Sequence, residues 1–192
     1  MTTYQSSTSN LKITAQAWRL IANGRFWPFT LLVAGVASHG VYAHAPLAAF
    51  ACMSGATLSR RRAIGVALLI WLVNQGIGFG LRGYPLTSTA FTWGVLMGIG
   101  TLLAAVAASW RPGWCQDSFS RYLRWMAIAT LLGFAVYQSL ILFAFPVLAD
   151  GHLMGWEIVS KLFIKHLTWA GGITIVHSIL LWRTINRRQS VI

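Results

Sequence analysis

The side chains best suited to metal binding or acid–base chemistry are few in this sequence: five histidines, two cysteines and three acids, Asp117, Asp150 and Glu157. His39 and His44 are five positions apart, roughly 140° round an ideal helix. They reach one metal only if Gly40 breaks the helix. His166 and His177 are eleven apart, on one helical face but roughly 16 Å apart along the axis. That spacing suits two separate haems, not one metal. Cys52 and Cys115 form no close ligand pair, and they fall at different depths, which argues against a disulfide. Glu157, Lys161 and Lys165 recur every four residues. Such a stripe is either an ion-pair ladder with a snorkelling lysine or an anchor for a phosphate or carboxylate. Gly76, Gly78 and Gly80 imitate a nucleotide loop, but they end an apolar helix and do not follow a strand. Walker A, His-Glu-x-x-His and Gly-x-Ser-x-Gly sequences are absent. No acid falls in the middle of an apolar run, so a carboxylate proton relay is not expected. These residues give an enzyme little to work with, and the expectation is a protein that is not an enzyme.

The elements that must position these residues follow from composition. Of 192 residues, 56% are hydrophobic and only 9% charged, and the mean hydropathy is +0.62. A soluble domain carries roughly 25% charged residues, and a disordered chain is polar and poor in aromatics. An integral membrane protein remains. Apolar runs fall at about Phe26–Tyr42, Ala45–Leu58, Ala63–Leu81, Thr89–Trp110, Leu123–Phe145 and Leu162–Trp182. The expected fold is an all-α bundle of six transmembrane helices with both termini cytoplasmic. Its parts are a polar and amphipathic N-terminus (1–25), a membrane domain (26–183) and a basic tail (184–192). The N-terminus lacks the basic-then-apolar pattern of a cleaved signal peptide. Net charge is +12, and lysine and arginine accumulate on the cytoplasmic side of membrane proteins. Arg60–Arg62, the 111–124 loop and Arg183/Arg187/Arg188 are two spans apart each, so they share a side. The first basic residues join them only if 26–58 crosses twice. The first two spans are then short, tilted or partly re-entrant. Proline agrees, with Pro28 and Pro46 in first turns and Pro146 ending the fifth span.

Polar groups in a bilayer need a reason, and here they gather at the outer helix ends. His39 and His44 lie around the first outer turn. Asn74 and Gln75 precede the glycine run, and His152 and Lys161 flank the last helix. Such convergence on one face describes a ligand pocket open to the outside. Gly94-x-x-x-Gly98 reads as a helix-packing face.

One stretch runs from His44-Ala45-Pro46-Leu47-Ala48-Ala49-Phe50 through Gly55-Ala56 to Arg60-Arg61-Arg62. It continues through Trp71-Leu72-Val73-Asn74-Gln75, Gly78-Phe79, Gly83-Tyr84-Pro85 and Trp93-Gly94. There the chain resembles the substrate-binding S-components of energy-coupling factor (ECF) vitamin transporters. It is most similar to the small solitary cobalamin (vitamin B12) S-components of Gram-negative bacteria. The resemblance covers roughly residues 26–108. It implies a vitamin-uptake subunit of the bacterial inner membrane that binds in a periplasmic pocket and releases to the cytoplasm. It also implies a scaffold subunit with two ATPases, docked on small residues of the first helix, here Ala34, Ala37 and Ser38. Cobalamin is then the transported ligand, and no intrinsic cofactor is expected. Phe79, Tyr84 and Trp93 would wall the corrin, Asn74 and Gln75 would meet its amides, and Arg82 or Lys161 its phosphate. Some cobalamin members ligate cobalt with a cysteine in the outer loop, which here has none. Cys52, His39, His44 or His152 would have to substitute. The alternatives are a non-catalytic membrane assembly protein and a metal- or haem-binding membrane protein.

Overall fold

A computed structural model describes residues 14–41, 45–149 and 154–189. Among them the chain is all-helical, without strands. The elements are α1 (Thr14–Asn23), α2 (Phe26–Ala37), α3 (Leu47–Thr57), α4 (Arg60–Gly76), α5 (Ser88–Ala108), α6 (Phe119–Leu148) and α7 (Trp156–Gln189). Short 3-10 turns follow α2 (Ser38–Gly40) and precede α6 (Gly113–Gln116), and α4 runs on into a π-helical turn, Ile77–Leu81.

Three helices among the described residues are long and apolar enough to cross a membrane: Arg60–Leu81, Ser88–Ala108 and Phe119–Leu148. A fourth is counted if α1 and α2, bent by 60°, act as one broken span. The structure therefore supports a helical membrane protein with three or four candidate spans, against the six expected. Two physical reasons account for the difference. First, α3 has 11 residues, a length of roughly 16 Å at 1.5 Å per residue, about half the hydrocarbon thickness. Second, α7 is 34 residues long, but its lysines, histidines and arginines dilute its hydropathy. Pro146 also differs from expectation. It lies inside the last turn of α6, which continues to Leu148.

The short α3 is the centre of the bundle. Every residue from Leu47 to Thr57 is buried, and α3 packs against α2, α4, α5, α6 and α7. Its many small residues allow close helix approach. A Cβ on Gly133 of α6 would stand 2.3 Å from Cys52 Cβ. Ser54 Oγ and Thr57 Oγ1 donate to the carbonyls of Phe50 and Met53 one turn earlier (2.8 and 2.6 Å), so their burial leaves no hydroxyl proton unbonded. The outer helices present leucine, isoleucine, valine and phenylalanine outward, as a lipid-facing surface requires. Trp71 of α4 lies across Gly98, and its Nε1 donates to the Gly94 carbonyl at 2.8 Å, so the Gly94/Gly98 pair is a packing face.

The arginine-rich end is closed by the bent α1–α2 pair. Trp18 Nε1 donates to the Thr57 carbonyl (3.3 Å) and Trp27 Nε1 to Thr57 Oγ1 (2.8 Å). Both indoles pack around Tyr122 and His177, whose Oη and Nδ1 are 2.9 Å apart. Arg62 Nη1 donates to the carbonyls of Ala22 and Gly24 at 3.3 and 2.9 Å. These are free carbonyls at the end of α1, where a cation is favoured. Thr57→Val keeps the shape but removes the acceptor of a buried indole N–H. The expected cost is about 1–3 kcal/mol, read as a lower thermal midpoint in detergent, with tryptophan emission reporting the loosened cluster. An unchanged midpoint would show that the Trp27 bond contributes nothing.

Candidate functional site

At the end opposite the arginine-rich one, the helix ends enclose a cavity of about 450 Å³. Its walls come from the start of α3, the end of α4, the Tyr84-Pro85 loop, the start of α5, the second half of α6, and α7. Antiparallel connectivity makes this one end of the bundle. The walls are mostly aromatic and apolar: Phe79, Tyr84, Trp93, Phe134, Tyr137 and Phe145 line the space with Met97 and Ile141. Trp93 and Phe145 meet across α5 and α6 at a ring separation of 5.8 Å.

The π-helical turn explains how Phe79 and Tyr84 arrive there. After Gly76 the helix widens, and Gly78 lets the Tyr84 ring lie against its backbone; a Cβ there would stand 2.7 Å from two ring carbons. Gly83 turns the chain with φ +64°, a conformation that favours glycine. Phe79 then packs edge-on to Tyr84 (6.1 Å) and stacks on Phe91 (4.8 Å).

Of the residues singled out from the sequence, Asn74, Gln75, Phe79, Tyr84 and Trp93 line the cavity. His39 and Arg82 stand behind it. One side of the buried Asn74 amide pairs with His39 Nε2 at 3.0 Å. His39 Nδ1 faces the carbonyls of Gly35 and Val36, each at 3.1 Å. Arg82 Nη2 donates to the His39 carbonyl at 2.8 Å, tying the 3-10 turn to the end of α4. Their place in the fold is to hold Asn74. Lys161 is on the exposed surface, where it pairs with Glu157 at 2.6 Å. His44 and His152 lie outside the described residues. Cys52 is sealed between α3 and α6, its Sγ donating to the Ala49 carbonyl at 3.3 Å, and is not a lining residue. Of the small residues on α2, Ala34 is half-buried, Ala37 is exposed, and Ser38 is buried with its Oγ on the Gly35 carbonyl (2.7 Å).

The cavity also gathers residues that the sequence did not single out as its lining, Tyr137, Gln138 and His166 among them, together with Lys165 from the stripe whose second reading is an anchor for a phosphate or carboxylate. Gln138 is 4% exposed, and its Nε2 donates to Met154 Sδ at 3.3 Å. His166 is fixed by its Nε2 donating to the Thr130 carbonyl at 2.9 Å and by the Phe134 ring at 5.2 Å. Its former companion on the helical face, His177, is in the aromatic cluster at the other end. The available signal was general: an amide, a lysine and a histidine inside apolar runs call for a partner. Nothing in the spacing showed that α6 and α7 share them with α4.

Among the described residues, no group of three or more histidines, cysteines or acids is placed to hold a metal ion. Outside the candidate spans, burial pushes the Cys115 thiol above its ordinary value and lowers Arg111. A thiol so shifted is a weaker nucleophile at neutral pH. The cavity itself combines ring-lined walls with a few amides, hydroxyls and one lysine, an inventory that binds and orients a small molecule. Compared with known proteins, the chain matches no family model, no curated protein and no solved structure.

Proposed function

We propose that this protein is the substrate-binding membrane subunit of a vitamin-uptake system, taking its ligand into the cavity between α3, α4, α5, α6 and α7. The observation that carries this reading is the cavity itself: about 450 Å³, aromatic-walled, at one end of a helical bundle. Its size falls within the roughly 300–1,000 Å³ range of small-molecule sites. Arg60, Arg61 and Arg62, with Arg121, Arg124 and Arg183, occupy the opposite end. The positive-inside preference puts that end in the cytoplasm, so the cavity opens outward in the bacterial inner membrane. Val33, Val36 and Ala37 form an outward apolar strip on α2, which is the face offered to a helical scaffold subunit.

Volume bears on the ligand. A vitamin with one or two fused rings fits within the walls. Calorimetric titration of purified protein in lipid nanodiscs with riboflavin, thiamine, biotin, pyridoxine, cobalamin and cobinamide tests the reading. The expected result is saturable one-to-one binding of one of the smaller ring compounds. Tight cobalamin and cobinamide binding would assign a corrinoid ligand instead. Silence from all six, with a stable co-purifying protein, would favour an assembly role and sink the uptake reading.

A further inference from the structure

The arginine-rich end carries its charge with almost nothing to neutralise it. The whole chain has three acids. Asp117 lies at that end and pairs with Arg121 in the first turn of α6. Glu157 pairs with Lys161 at the start of α7. Asp150 comes two residues after the end of α6, a tether too short to return along a 30-residue helix of roughly 45 Å. Residues 1–13 and 190–192 contain no aspartate or glutamate.

One corner of this end concentrates the charge. Arg62 Nη1 donates to the carbonyls of Ala22 and Gly24, which pins the end of α1 to the start of α4. Arg25 follows Gly24 directly, and Arg60 and Arg61 directly precede Arg62, so the same bonds bring these three to one corner. All three are exposed, and none has an ion pair among the described residues. Like charges held together repel, and an anion between them relieves the repulsion. The groups offered are guanidiniums, planar forks that meet phosphate oxygens in pairs. Beside them, Phe26 and Phe29 share one face of α2 and are 66% and 64% exposed. A water-soluble polyanion would leave those rings wet. A phospholipid covers them with its acyl chains while its phosphate meets the arginines.

We propose that this corner binds the headgroup of an acidic phospholipid, with Arg25, Arg60 and Arg61 on the phosphodiester and Phe26 and Phe29 along the acyl chains. A zwitterionic lipid brings a choline cation to the same arginines and is disfavoured. The site is separate from the cavity and does not rest on the uptake reading.

The test titrates the purified full chain in dodecyl maltoside with palmitoyl-oleoyl phosphatidylglycerol or with the phosphatidylcholine of the same chains. Native mass spectrometry reads the lipid retained. The native protein is expected to prefer phosphatidylglycerol roughly twenty- to hundredfold, two to three arginines at about fivefold each. Arg60→Gln with Arg61→Gln should cut that preference roughly twentyfold and leave phosphatidylcholine retention unchanged, which also shows that the variant is folded. Arg60→Lys with Arg61→Lys should restore much of it. Arg124→Gln with Arg183→Gln, at the same end but off the corner, should change it at most a fewfold. Equal retention of the two lipids by the native protein overturns the proposal. So does a lysine pair that behaves like the glutamine pair, which would mark a packing defect. An equal loss in the Arg124/Arg183 variant would replace the corner by a diffuse field and overturn the site. A ten-nucleotide single-stranded RNA that displaces phosphatidylglycerol from the native chain would assign the arginines to nucleic acid and overturn the lipid.

Discussion

Replacing Gly55 with leucine is expected to destabilise the bundle by about 3 kcal/mol, at the upper end of the overpacking range. A Cβ at this position would stand 2.3 Å from the Ala105 carbonyl oxygen and 2.9 Å from Ala108 Cβ. The first of these is backbone and cannot rotate away, so α3 and α5 would have to separate. Because α3 also touches α4, α6 and α7, the separation spreads through the whole core. Gly171→Ala and Gly172→Ala are the controls, since a Cβ at either position meets nothing within 4 Å. Thermal unfolding followed by fluorescence-detected gel filtration reads the difference. A Gly55→Leu protein that melts with the native one would mean that α3 is not clamped against α5.

The second large effect concerns the cavity. Ala48 sits in the first turn of α3, is 5% exposed and lines the floor of the space. Ala48→Phe puts a ring where the ligand would lie, and the open volume accepts it without displacing a helix. Affinity for the proposed cavity ligand is expected to fall roughly a hundredfold, equivalent to about 3 kcal/mol of lost fit, with little change in thermal midpoint. Ala37→Phe, on the outward face of α2, lies away from the cavity and should leave binding intact. Native-like affinity in the Ala48→Phe protein would place the ligand elsewhere. The two experiments are complementary: Gly55 reports on the frame, and Ala48 on the space within it.

Much of the site at the end of α4 was legible because it is local. Asn74, Gln75, Phe79 and Tyr84 fall within eleven consecutive residues, and the glycines among them foretell a helix end that widens. Trp93 follows one loop later. His39 and Arg82 are polar groups near that end, but neither lines the cavity: His39 pairs with Asn74, which does, and Arg82 donates to the His39 carbonyl. The helical periodicity that places Glu157, Lys161 and Lys165 on one stripe could not say which lysine turns inward. That depends on how α7 is rotated against α6. The counting of spans met a similar limit. A run such as 45–58 is apolar whether it faces lipid or other helices, and only the neighbours distinguish the two cases.

What the sequence by itself determined is therefore what composition and short-range order control. The chain belongs in a membrane because it lacks the polar surface to cover a globule in water. It is helical because a backbone in lipid must satisfy its own hydrogen bonds. Its arginines, Arg82 excepted, fall at one end because loop charges alternate along the chain. Only the tertiary structure decided that α3 is buried along its whole length among the other helices. It alone brought Gln138, Lys165 and His166 to the same space as Asn74. A cavity is the volume left between helices that are distant in sequence, and its lining depends on crossing angles, rotations and the close contacts at Gly55, Gly98 and Gly133. These arise from the simultaneous packing of many side chains, which no single stretch of residues encodes.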